Sequence, residues 1–191
     1  MRPMTDERAR LLEHLRSRAT TLGPAEIRAR VRAAAAELDA TLAGLTEAEA
    51  RRAAAHGEWS IAQVVDHLAQ TMIRSADELR HLLAGRRPPA PAVYDGLVSG
   101  AALWVPWAEL VDGVRSASAE LDALLGAAAA LEPSPSGTVK TILVVSRPGA
   151  DGQPVPDLFA AELDWKAYAL VQRLHLLDHR TQVRTLRAAL G

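Results

Sequence analysis

The chain has 191 residues, 49% of them hydrophobic and 24% charged, with a formal net charge of −1. This is the composition of a globular chain long enough for one domain with a real core, and it leaves no bulk excess of Lys and Arg to argue for nucleic acid. There is no cysteine, which excludes disulfides, thiolate metal ligands and a cysteine nucleophile, and fits a cytoplasmic protein.

Ala and Leu dominate, against one Phe and two Tyr, a mixture that favours helices over sheets. No apolar run approaches the ~18 residues of a membrane span, and "MRPMTDERARLLEHL" lacks the apolar core of a signal peptide.

Residues 4–20 read as a short helix, with Thr5 as its cap and Leu11, Leu12 and Leu15 on one face. Gly23 stops it and Pro24 opens the next, which runs to about Ala43 with Ile27, Val31, Leu38 and Leu42 apolar. "LTEAEARRAA" is a brief helical turn with Thr46 at its N-cap and Glu49 three residues on.

The clearest helix spans residues 60–84. Ser60 and Gln63 have the spacing of a capping box, Trp59 and Val64 that of a hydrophobic staple, and Gly85 with Pro88-Pro89 ends the element. A loop rich in Pro, Ala and Gly leads to a helix from Pro106 to about Ala130. Residues 138–146 hold Val139, Ile142, Val144 and Val145 between Gly/Pro clusters, and read as a strand, paired in a small hairpin with residues 153–156. The last helix is placed from about Leu158 to Leu190, apolar nearly all round and so buried between neighbours. The pattern is an all-α fold of four main helices, with an additional N-terminal helix and a short β insertion before the last helix. It is read as a single domain over 1–191 with a core of about 24–190.

Histidines carry the chemical signal. His175 and His179 are four apart on the last helix, on one face with Tyr168, Gln182 and Leu186. Two imidazoles so spaced can bind one divalent cation. His67 lies on the flank of the apolar stripe of its own helix, where a third ligand can face a neighbour. On spacing alone the alternative carries more weight: a histidine beside a core is usually hydrogen-bonded and structural. His14, His56 and His81 read as surface or structural; His81 lies ~21 Å along the axis from His67, too far to share an ion.

"GEWSIAQVVDHLAQ", followed about a hundred residues later by "HLLDHRTQ", resembles the DinB-like family, which also includes the YfiT-like proteins and the mycothiol-dependent maleylpyruvate isomerases. The shared pattern is Trp59-Ser60 at a helix start, His67-Leu68 inside that helix, and His175, His179, Arg180 and Gln182 in the last one. The resemblance covers roughly residues 24–190. It implies a DinB-like four-helix bundle in which three histidines, here His67, His175 and His179, bind a divalent metal, often zinc or nickel. It also implies a low-molecular-weight thiol such as mycothiol or bacillithiol as a cofactor, and a homodimer. The N-terminal helix and the strand-like segment are departures that bear on the pocket and so on the substrate.

Three neutral imidazoles leave a cation its full charge and an open position, able to lower the pKa of a bound thiol or water. A thiol must come from a small molecule, since the chain has none. The first functional reading is a metal-dependent thiol S-transferase or isomerase acting on a small molecule. The second is metal-dependent hydrolysis, which needs a general base; Asp178 points about 100° away from His179 on the helix. The third is a non-catalytic metal-binding bundle in a stress response. A nucleic-acid role is the least favoured: Arg51-Arg52 and Arg86-Arg87 are the only paired arginines, without interleaved aromatics. No membrane role is read. Trp104 and Trp107 are read as core, or as the wall of a pocket or dimer interface.

Overall fold

A computed structural model describes residues 6–52, 59–89, 91–93, 96–131, 134–149 and 153–189. The order is α1 (Asp6–Thr21), α2 (Pro24–Leu42), α3 (Glu47–Arg51), α4 (Ile61–Leu83), a 3-10 turn (Ala101–Leu103), α5 (Trp107–Ala128), β1 (Thr138–Pro148), β2 (Pro154–Asp164) and α6 (Trp165–Ala188). Four long helices form the bundle: α4 packs on α5 and α6, and α2 packs on the same two. The core runs between them, through Ile27, Leu38, Ile61, Leu68, Met72, Leu79, Leu121 and Leu125. No helix among the described residues is long and apolar enough to cross a membrane.

Local chemistry fixes most boundaries. The Ser60 hydroxyl accepts from Gln63 N at 3.3 Å, and the Gln63 amide oxygen accepts from Ser60 N at 2.8 Å, so two orphan donors at the start of α4 are satisfied reciprocally. At its other end Gly85 takes φ +68°. Gly85 N donates to Leu82 O and Arg86 N to His81 O, both at 2.9 Å, the paired closure of a Schellman motif. Thr46 and Glu49 cap α3 in the same reciprocal way as Ser60 and Gln63. Gly23 has a different role from the helix stop read in the sequence: its backbone is extended, and it is the N-cap of α2, donating N–H to the Glu26 carboxylate at 3.0 Å. The Thr5 cap lies outside the described residues.

The β insertion is larger than expected. β1 and β2 pair antiparallel from Thr138↔Asp164 to Pro148↔Pro154, so the second strand takes in residues 158–164, which the sequence reading gave to the last helix. "LFAAELD" is made of good helix formers, but its register is set across the hairpin. Asp157, Phe159, Ala161 and Leu163 are buried while Leu158, Ala160 and Glu162 are exposed, a period of two. Cross-strand pairing with β1 overrides helix propensity here. α6 therefore starts at Trp165, where Asp164 caps it by accepting from Ala167 N at 2.8 Å. Its first turns, Trp165 to Leu170, are buried almost all round; the later ones expose Asp178, Thr181, Arg184 and Arg187.

The N-terminal helix and the hairpin are tied together. α1 packs on α6 and β1, and Arg8 makes a two-pronged pair with Asp157 at 2.8 and 2.5 Å. Both side chains are almost wholly buried, and the Arg8 guanidinium stands 5.2 Å from the centre of the Phe159 ring. Asp157→Ala strands a buried guanidinium and is expected to cost about 3–5 kcal/mol, whereas Arg8→Met combined with Asp157→Leu removes both charges at small net cost. Urea unfolding of both proteins measures the difference, and equal midpoints would show that the pair is not the link.

Candidate metal centre

The cap at Ser60 fixes the phase of α4, and two turns later that phase puts His67 on the face toward α6, buried except for 9% of its surface. His175 and His179 come from the facing side of α6. The three rings converge. His67 Nε2 lies 3.1 Å from His175 Nε2, and His179 Nε2 lies 3.0 Å from the same atom. One ligand nitrogen from each ring falls within 4.8 Å of the others. A tetrahedral ion with bonds of ~2.0–2.1 Å holds neighbouring ligand atoms ~3.3–3.4 Å apart, so a small expansion of this cluster accepts a divalent cation.

Two of the three rings have their tautomers set from behind. His67 Nδ1–H donates to the Leu97 carbonyl at 2.9 Å; a carbonyl only accepts, so that nitrogen carries the proton and Nε2 keeps its lone pair. His179 Nδ1–H donates likewise to Gln182 Oε1 at 2.7 Å. Such outer contacts orient metal-binding imidazoles and raise their basicity. His175 Nδ1 is buried with no hydrogen-bond partner. Trp59 lies against His67, ring centres 5.1 Å apart.

Burial decides the protonation state. It pushes His67 below the ordinary histidine value, against the opposing pull of Leu97 O and Asp66. It holds His175 well below that value, with His179 and His67 adding to the effect, and it lowers His179 to about 4, against the Gln182 bond. At neutral pH all three rings are neutral and can offer lone pairs. The donor set thus suits a divalent cation and does not select which one.

Asp66 is the residue the sequence reading passed over. It is 1% exposed and accepts from Ser99 N at 2.9 Å and from the Ser99 hydroxyl at 2.7 Å. These bonds hold segment 96–99 on α4 and so place the Leu97 carbonyl behind His67. Gly96 lets the segment pass close: a Cβ there would lie 3.2 Å from the Trp59 ring. The available signal was an acid at a buried position of an apolar helix, directly before His67. Further along the same seam, Tyr168 donates to Glu78 and, at 3.1 Å, to Ser75, and Arg74 holds the other Glu78 oxygen at 2.8 Å. Burial and the Glu78 charge push the Tyr168 phenol far up.

The other histidines stand apart. His14 is exposed, His81 bonds through Nδ1 to Asp77 O at 3.1 Å, and His56 lies outside the described residues. Arg180 pairs with Glu37. Trp107 is buried with its indole N–H on Leu45 O at 3.0 Å, while Trp104 is 75% exposed. Arg51 bonds to Glu47 and to the carbonyls of Ala102 and Val105, and Arg87 pairs with Glu162.

Two outcomes follow from this arrangement. His179 is depressed to about 4 in the fold against an unfolded value near 6.5. The unfolded chain therefore binds more protons between those limits, and metal-free stability falls as pH drops from about 6.5 to about 4. His179→Leu should flatten that slope in chelator-containing urea titrations; an unchanged slope would mean that the ring is not held neutral. Asp66→Ala should release segment 96–99 and weaken zinc binding about 10–100-fold, read by chelator competition, and wild-type affinity in that variant would remove Asp66 from the site's support.

A family model described as the DinB superfamily matches residues 30–138. The match takes in most of α2, all of α4 with His67, and α5, and ends at the first residue of β1; His175 and His179 lie beyond it. No curated protein and no solved structure matches the chain. The matched span exceeds half of the sequence, and the helical bundle with its facing histidines agrees with it: the chain belongs to the DinB superfamily.

Proposed function

We propose that His67, His175 and His179 bind one divalent metal ion, and that the protein is a metal-dependent S-transferase or isomerase using a low-molecular-weight thiol. The observation that carries this reading is a cluster of three convergent imidazoles that contains no carboxylate, in a chain without cysteine. A bound divalent cation supplies positive charge that lowers the pKa of a coordinated thiol. The chain's own part is to keep three Nε2 lone pairs aimed at one point, with the Nδ1 protons of His67 and His179 held by Leu97 and Gln182, and with the Trp59 ring covering one side of His67. The thiol, its proton lost to solvent, would form a C–S bond either by adding to an activated carbon–carbon double bond, whose π pair moves toward an adjacent carbonyl, or by displacing a leaving group that departs with the bonding pair. The resemblance to mycothiol-dependent relatives supports the choice of thiol.

Hydrolysis asks for a free general base, and among the described residues the acids near the seam are committed elsewhere or face solvent. Asp66 is bonded to Ser99, Glu78 to Tyr168 and Arg74, and Asp178 is exposed on α6.

Elemental analysis of untagged protein, alongside His67→Ala, His175→Ala and His179→Ala, tests the site. About one equivalent of metal is expected, lost in each variant while far-UV circular dichroism persists. No metal after loading with zinc and nickel would end the metal reading. Mass spectrometry of metal-loaded protein with mycothiol, bacillithiol and electrophilic substrates tests the chemistry, and metal binding without any thiol transfer would leave a metal-binding bundle instead.

A further inference from the structure

The outer contacts of the cluster are incomplete. His67 has Leu97 and His179 has Gln182, but His175 Nδ1 is buried with no hydrogen-bond partner. One buried hydroxyl on the facing helix is in the same condition: Thr71 Oγ1.

Thr71 is unusual for its helix position. Among the described residues, Thr20, Thr21, Thr41, Thr181 and Thr185 all bond their hydroxyls to the carbonyl four residues back, at 2.8–3.2 Å. A helical threonine has that acceptor always within reach. For Thr71 the acceptor is the His67 carbonyl, and the bond is not made. Its hydroxyl is therefore turned away from its own helix.

Helix geometry gives the direction. α4 and α6 run antiparallel, since His67 meets His175 while Ser75 and Glu78 meet Tyr168. Thr71 stands midway, ~6 Å along the axis and ~40° around it from both His67 and Ser75. It faces the part of α6 between Tyr168 and His175. That part carries Gln172, which is 4% exposed and shares the stripe of Tyr168 and His175 at 100° per residue. Thr71 and Gln172 thus stand on the facing stripes of the seam, and offer two polar groups to a buried water, which needs two to four polar partners.

We propose that Thr71 is a positioning residue for His175: its hydroxyl and the Gln172 amide hold one buried water that accepts the hydrogen bond of His175 Nδ1–H. The water does for His175 what Leu97 and Gln182 do for the other two rings, leaving Nε2 unprotonated and aimed at the metal. This inference rests on the proposed metal site.

The test compares wild type, Thr71→Val and Thr71→Ser by zinc competition with a chelator and by histidine ring ¹⁵N NMR, with and without zinc. Valine matches threonine in shape and serine keeps the hydroxyl. Thr71→Val is expected to bind zinc about 10–100-fold more weakly, with the His175 Nδ1 resonance shifted and its proton exchanging faster, while Thr71→Ser behaves as wild type. A valine variant with unchanged zinc affinity and unchanged His175 resonances overturns the proposal. So does equal weakening by valine and serine, which would assign the effect to packing. If wild type takes no zinc, the metal reading fails on its own. The metal-free spectra then decide the contact: His175 resonances unaffected by Thr71→Val overturn it, and a shift confined to His175 Nδ1 upholds it.

Discussion

The seam between α4 and α6 is the constraint on which the site depends. Packing two helices normally buries apolar side chains, yet here His67, Thr71, Ser75 and Glu78 on one helix face Tyr168, Gln172, His175 and His179 on the other. A buried polar group costs free energy unless it is paired. Across the seam Tyr168 meets Glu78 and Ser75, and His67 meets His175, while His179 meets His175 along α6. Because the pairs have direction, they fix the sliding position of one helix on the other. The rest of the bundle core is mostly Leu, Ile, Val and Ala, and supplies the burial that makes those pairings compulsory.

The same burial sets the chemistry of the imidazoles. Removal from water disfavours the charged form, so the rings stay neutral and nucleophilic at their Nε2 atoms. Three lone pairs held at this distance repel one another unless protons or a cation intervene. A cation at the centre of the cluster relieves that repulsion at all three Nε2 atoms at once.

The N-terminal helix and the hairpin are held to the bundle by a different device. Arg8 of α1 and Asp157 of β2 meet in a buried two-pronged pair, while the hairpin closes on its own alternating face, with Val139, Leu143, Phe159 and Leu163 turned inward. A buried guanidinium accepts only a partner that matches its fork. The N-terminal helix is thereby held to one place on the hairpin, and the hairpin leads directly into the helix that carries His175 and His179.

Much of this was legible in the chain itself. Helix starts at Ser60 and Thr46, the stop at Gly85, the bundle of four long helices and the three histidines could be read because caps and apolar periodicity are local properties. What sequence could not decide was which element wins where local preferences conflict. "LFAAELD" favours a helix by propensity, and only its partner strand makes it β2. Asp66 looks like an ordinary helical acid until Ser99 arrives from a segment 33 residues away. The sequence by itself determined most of the helices and the residue types able to ligate a metal. Only the tertiary structure decided that His67 faces His175 at 3.1 Å, because that depends on the packing of residues 108 apart in the chain, and that the Leu97 carbonyl orients it, because that depends on how segment 96–99 folds back on α4.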